Sequence, residues 1–419
     1  MRLGYDKVRK TLYAAALVIP FTELRFGFVG AGEILLALAL LMLLHLNGGN
    51  IRRSPTLSPL VSFWYAYLVL ISIGFVYNLV ILGYSSGTYF GAAFDFLAYL
   101  VILGTLLMLG DERLYQGSSP REFFETVFLI WGIVFSILYL LSFQTSQIFG
   151  LPLRYYNYFS PLVENVHQAA MITSAMPFIM WYFALNHGSW LRRTFYLIVG
   201  GLFVLMALES GATKAFMAVV VGSVMSVSFL VFHKITLGSN RLLQVSVFGL
   251  LASAGLVAAI ENFDMISSFA IRFFQENDGS SARENLYTLG LEHGMQSFLV
   301  GYGPGPHIQL IQADFSDAHN TVLTIFLQGG IVGILLLLIA IYRLVFLRVS
   351  TEPWLLGSLS AISMYLLGGD ILRRLPIWLV IVGILHLSRE KHRRPVTRPV
   401  RKITPLLADS SARFRPSGS

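Results

Sequence analysis

Apolar residues run along this chain in long unbroken stretches, without the two- or 3.6-residue alternation of an element with one wet face. Stretches long enough to cross about 30 Å of hydrocarbon as a helix fall at roughly 11–24, 28–46, 59–83, 92–109, 123–142, 165–186, 194–208, 213–232, 242–260, 320–341, 354–370 and 375–388. The pattern predicts an all-α polytopic integral membrane protein with about twelve transmembrane helices. A transmembrane β-barrel is excluded, because its strands would alternate over ~10 residues. The first run follows a basic start, carries Glu23 and Arg25 at its end, and lacks a small-residue cleavage site after Pro20. It is expected to be a retained first span. The apolar run from 194 to 233 is broken only by Glu209-Ser210-Gly211-Ala212-Thr213-Lys214. One helix of that length would overshoot a bilayer about twofold, so the break is predicted to be a hairpin turn that delivers Lys214 to the outer face.

These runs divide the chain into helices one to nine over 1–260, a large outer loop over 261–319 carrying short interfacial helices, and helices ten to twelve over 320–388. A basic, Pro- and Ser-rich tail over 389–419 is expected to be disordered and cytoplasmic. Composition narrows the class further. Hydrophobic residues make up 55% of the chain and charged residues 12%, with a mean hydropathy of +0.68. That leaves too few charges to cover a soluble globule. Cysteine is absent, which excludes disulfides, thiolate metal sites and a cysteine nucleophile.

The net charge of +8 is a matter of topology. With both termini in the cytoplasm, 23 of the 30 basic residues fall on inside segments, at least two on each, as the positive-inside rule requires. Anionic lipid headgroups account for such a balance, and no nucleic-acid partner is implied. Seven basic residues remain at or near the outer face: Arg25, Arg154, Lys214, Arg272, Arg283, Arg373 and Arg374. Singly, each fits headgroup contact or pairing with a nearby acid. Together they suit phosphate, which the guanidinium fork binds in bidentate fashion.

Several candidates cluster in the long outer segment. Ser281-Ala282-Arg283-Glu284 matches a capping box and predicts a helix over about 282–295, with Leu286, Leu289 and His293 on one stripe and Arg283 in the first turn. Arg272 lies among Phe269, Ile271, Phe273 and Phe274, an interfacial aromatic belt. Gly301-Tyr302-Gly303-Pro304-Gly305-Pro306 lacks the spacing of a dinucleotide fingerprint and predicts a tight turn or close approach. Asp317 is expected to cap the tenth helix, which puts His319 in its first turn. Arg154 lies in the aromatic-rich Arg154-Tyr155-Tyr156-Asn157-Tyr158.

His319-Asn320, nine residues, then Gly330-Ile331-Val332-Gly333 resembles a motif of the O-antigen ligase and O-antigen polymerase superfamily. Arg283 followed by Gly301-Tyr302-Gly303 is similar to that family's loop segment, and the twelve-span layout and Pro376 fit it. The resemblance implies a bacterial inner-membrane enzyme that transfers a glycan, on the periplasmic face, from undecaprenyl diphosphate to an acceptor hydroxyl, without metal or nucleotide cofactor. Partners would be that donor, a lipid A-core or lipid-linked glycan acceptor, and membrane lipids. By the same resemblance His319 and Arg283 are the catalytic candidates, with Arg272 a second candidate for the loop arginine. The outer-face charge of Arg272, Arg154 and Lys214, with Asn320 of the motif, makes these four the diphosphate-binding candidates. His319 would serve as general base on the acceptor hydroxyl or hold a phosphate oxygen. An O-antigen ligase is the preferred reading, a polymerase the alternative. A lipid or solute transporter is the alternative of another class.

Overall fold

The computed structural model describes residues 2–27, 29–52, 54–81, 86–163, 166–236, 280–305, 307, 320–345, 349 and 352–393. Among them the chain forms twelve helices: α1 Arg2–Val18, α2 Ala31–Leu46, α3 Ser58–Ile81, α4 Ser86–Leu109, α5 Pro120–Leu141, α6 Val166–Asn186, α7 Trp190–Glu209, α8 Thr213–Thr236, α9 Ser280–Met295, α10 Thr321–Leu344, α11 Pro353–Gly368 and α12 Leu375–Arg393. Seven of these are long and apolar enough to cross a membrane, and α2 and α12 are shorter apolar helices. The expected ninth span at 242–260 lies outside the described residues.

Several boundaries differ from the sequence pattern; α4, for one, starts at Ser86 rather than 92 and α7 at Trp190 rather than 194. The first helix covers residues 2–18 rather than 11–24 and ends before Pro20; Glu23 and Arg25 belong to the connection, where Arg25–Phe26 pairs with Val29–Gly30 in a two-residue hairpin. Apolarity alone had located the run, but the helix begins in its polar approach. The last helix continues through Arg393, so residues 389–393 are helical rather than tail. The loop helix starts at Ser280, before the expected cap at Ser281. The turn after Glu209 is as predicted: α7 stops there, Gly211 takes φ 65° and α8 starts at Thr213.

Helix α6 sits at the centre. Its membrane window is 89% buried, and it packs on α7, α8 and α11. Gly222 of α8 meets Gly357 of α11 so closely that a Cβ on either would strike the other's carbonyl oxygen. Such small-residue crossings let membrane helices approach where no hydrophobic drive separates helix from lipid. Beneath the loop end of the bundle lies an aromatic cluster, in which Trp64 contacts Tyr99 at 5.3 Å and Trp378 at 5.0 Å between ring centroids.

Candidate functional site

The site is organised by a break in α10. Asn320 caps this helix by accepting from Leu323 N at 3.0 Å. The cap is therefore Asn320 rather than Asp317, and His319 precedes the helix instead of lying in its first turn. Ten residues on, Gly330 has φ 60° and ψ −159°, which divides the helix. Only glycine adopts this region at little cost. The break would leave backbone donors and acceptors unsatisfied inside the bundle, and the 298–303 segment satisfies them. Tyr302 N and Gly303 N donate to the carbonyls of Leu327 and Gln328 at 2.7 and 2.9 Å, and Ile331 N donates to Phe298 O at 2.8 Å.

The Gly-x-Gly segment thus has a physical role. Gly301 and Gly303 take φ 66° and 83°, and a Cβ on either would enter the backbone of Gln328 or Phe75. Gly74 of α3 packs against the same turn, and Asn78 Nδ2 donates to Gly301 O at 3.1 Å. The glycines of α10 differ in what they admit. Gly329 and Gly333 face Tyr67 of α3, whereas the neighbour at Gly330 is the carbonyl of Leu299, in the loop.

A buried polar network joins these parts. Asp95 of α4 is 4% exposed and accepts from Gln328 Nε2 at 3.0 Å, Gly305 N at 3.2 Å and Arg373 Nη1 at 3.0 Å. Gln328 Oε1 accepts from both Tyr67 and Tyr99 hydroxyls at 2.9 Å, which fixes the orientation of its amide. Arg373 also lies 3.6 Å from Asp370. Five donors thus reach three acceptor oxygens, where an unmatched charge would cost several kcal/mol.

The connection between α11 and α12 links this network to the start of α10. Thr321 Oγ1 donates to Gly369 O at 2.7 Å and accepts from Ile371 N at 3.0 Å. Lys214 arrives at the same connection: a Cβ on Gly368 would lie 2.8 Å from its Nζ. An ammonium there complements the C-terminal end of α11. On its other side the connection lines a cavity of about 280 Å³ into which Arg373 and Arg374 converge with Arg25, Glu33 and Gln168. Three of the seven outer basic residues therefore meet there.

Arg154 is differently placed. Its Nε donates to Ser142 O at 3.1 Å, Nη1 to Asn157 O at 2.9 Å and Nη2 to Glu209 at 2.8 Å, and the guanidinium lies 5.1 Å from the Phe143 ring centroid. Here the fork ties the 142–158 loop to the end of α7. Arg283 lies on α9, which packs on α10 through Leu286, Leu323, Phe326 and Leu327. His319 and Arg272 lie outside the described residues. Helix α9 nevertheless leads through the 298–305 turn onto the helix that His319 precedes.

His307 escaped the sequence reading, which placed His293 only on the stripe of the loop helix. His293 stacks on Tyr302 at 4.4 Å, and Tyr302 donates through its hydroxyl to His293 O at 2.8 Å. His307 is 3% exposed and lies 5.4 Å from the Tyr302 ring. Its Nε2 is 2.7 Å from Gly303 O and therefore carries the proton, while Nδ1 is buried with no hydrogen-bond partner among the described residues. Burial lowers the pKa of His293, and it lowers that of His307 to about 4 against the opposing bond to Gly303. His307 is neutral at pH 7. Among the described residues no three His, Cys, Asp or Glu side chains are grouped to hold a metal ion.

Residues 195–338 match the family model described as O-antigen ligase. Over this third of its length the chain is similar to the O-antigen ligase family. The match takes in Lys214, Arg283, His307, His319, Gln328 and the Gly330 break, whereas Asp95, Arg154 and Arg373 lie beyond it. No curated protein matches the chain. Within the matched region, the Gly-x-Gly segment and the Gly330 break of α10 meet as two halves of one sealed helix break.

Proposed function

We propose that this membrane protein is an O-antigen ligase. In this reading it transfers a glycan from undecaprenyl diphosphate to a hydroxyl of lipid A-core, on the periplasmic face of the inner membrane and without a metal. The observation that carries the reading is the docking of the 298–305 turn into the α10 break. It joins the helix that bears Arg283 to the helix whose cap, Asn320, follows His319 in the chain.

The acceptor oxygen attacks the anomeric carbon, the sugar–phosphate bond breaks, and the electron pair leaves with the diphosphate. His319 takes the hydroxyl proton as general base. Arg283, Arg272 and Lys214 balance the charge that grows on the leaving diphosphate, and Asn320 fixes the first turn of α10 behind His319. The occupied fork of Arg154 supports a bracing role for that residue.

A polymerase would use the same chemistry with a lipid-linked repeat as acceptor. Purified protein given labelled lipid-linked donor with lipid A-core, or with donor alone, separates the two: a ligase forms product only with lipid A-core. The transporter reading loses its main structural support. Broken helices in transporters leave their half-helix ends facing a ligand, and here both ends of the α10 break are taken by the 298–303 backbone.

A further inference from the structure

At the opposite end of the bundle, a cavity of about 730 Å³ opens between α5 and the turn from α6 to α7. Its wall is graded in polarity. Along α5 it is lined by Glu122, Thr126, Leu129 and Ile133, whose spacing of four, three and four residues puts them on one helix face. That face passes from a carboxylate to a hydroxyl to two aliphatic side chains. Over this span the helix rises about 16 Å, close to half of a ~30 Å hydrocarbon layer. On the facing side Arg192 lies in the first turn of α7, with Phe195 one turn deeper. Ile133 is 42% exposed and Phe195 40%, so the apolar depth opens toward lipid and is not closed off by protein. The cavity has the length and the polarity gradient of one bilayer leaflet.

Its polar mouth carries charges of both signs. Arg121 and Arg192 line it together with Glu122 and Glu125. Glu125 is held in place, since its Oε1 meets His187 Nε2 at 2.6 Å and the Tyr196 hydroxyl at 2.8 Å. Two guanidinium groups would attract any phosphate. Two carboxylates in the same wall repel a headgroup that is purely anionic. A headgroup with both a phosphodiester and a hydrogen-bonding ammonium is complementary to the whole mouth.

We propose that this groove binds a phospholipid with an ethanolamine headgroup. The phosphate meets Arg121 and Arg192, the ammonium meets Glu122 and Glu125, and an acyl chain runs along Leu129, Ile133 and Phe195. The proposal is independent of glycan transfer, because the groove shares no residue with the site above.

The test is native mass spectrometry of the full chain, delipidated and then offered equal amounts of phosphatidylethanolamine, phosphatidylglycerol and phosphatidylcholine. One phosphatidylethanolamine should be retained in preference to the others, because choline cannot donate hydrogen bonds and glycerol brings no cation. The double variant Arg121→Gln/Arg192→Gln should weaken retention roughly 30-fold. Ile133→Trp, which fills the groove and spares the charged mouth, should weaken it as well. Glycerophosphoethanolamine, the headgroup without acyl chains, should fail to displace the lipid. Equal retention of the three lipids by the wild-type chain would overturn the proposal. So would displacement by glycerophosphoethanolamine at matched concentration, which would mark a site for soluble phosphate. If the double variant does not fold, the wild-type competition and Ile133→Trp decide.

Discussion

The side-chain amide of Gln328 donates to Asp95 at 3.0 Å across 233 residues of chain, and this bond places the broken helix α10 on α4. Asp95 also receives Arg373 from the α11–α12 connection and Gly305 from the loop that seals the break. One carboxylate therefore sets the mutual positions of three segments that come together at the candidate site.

Asp95→Asn should be among the most damaging single substitutions in the protein. It leaves the largely buried Arg373 facing a neutral amide at that contact, and removal of one partner from a buried pair costs about 3–5 kcal/mol. Thermal unfolding in detergent should show a large drop in Tm. The double variant Asp95→Asn/Arg373→Met should recover part of that loss, since no charge is then stranded.

Gly330→Ala and Gly333→Ala should behave differently despite their shared motif. The first forces an alanine to φ 60° and puts its methyl into the Leu299 carbonyl. Strain of ~1–3 kcal/mol from the dihedral alone, with the clash added, should abolish assembly of the break. Gly333 is helical, with Ile325 Cγ2 at 3.1 Å from an added Cβ, and small shifts can absorb that contact. Protease protection of the 298–305 turn should be lost in the first variant and kept in the second.

Arg154→Ala should act on stability before it acts on substrate. The three hydrogen-bonding groups its guanidinium reaches anchor the 142–158 loop, and its loss should cost roughly 1–2 kcal/mol, discounted for partial exposure. A rise in donor KM with unchanged Tm would instead show that Arg154 binds diphosphate directly.

His307 should make the folded state sensitive to mild acid. Its pKa is about 4 in the folded protein against 6.5 for the free side chain, so above pH 6.5 neither state binds a proton and the residue contributes no pH dependence. Between pH 6.5 and about 4 the unfolded chain takes up a proton that the folded one refuses, and stability falls as pH falls, by up to ~3 kcal/mol. Urea midpoints for wild type and His307→Gln, measured across this window, should diverge with a steeper fall in the wild type.

Much of this was legible in the sequence. Apolar runs located the helices, the Glu209–Lys214 interruption marked a turn, and the glycines at 301 and 303 announced a close approach. What periodicity cannot supply is a partner. Asp95 falls within an apolar run, and nothing local points from it to Gln328, Gly305 or Arg373, which lie more than 200 residues away. The residues around Gly330 keep the apolar pattern of one continuous helix. The adjacent Gly329-Gly330 pair was the available sign of a kink. His307 followed a proline-rich turn and carried no signal, because its burial comes from Tyr302 folding back toward α9. Arg154 was chosen for its charge and its aromatic neighbours, while the Glu209 that engages it could be seen only in three dimensions.

The central claim is that His319 takes the proton of the acceptor hydroxyl at the end of the broken helix. The most direct test is the rate of glycan transfer by purified protein, given labelled undecaprenyl diphosphate-linked donor and lipid A-core, for wild type, His319→Ala and His319→Gln. Loss of a general base should slow both variants by about 10²–10⁴-fold, with donor left unconsumed and with Tm and donor binding unchanged. Turnover by His319→Gln near the wild-type rate would contradict the claim, because glutamine can hold a phosphate oxygen but cannot accept the proton.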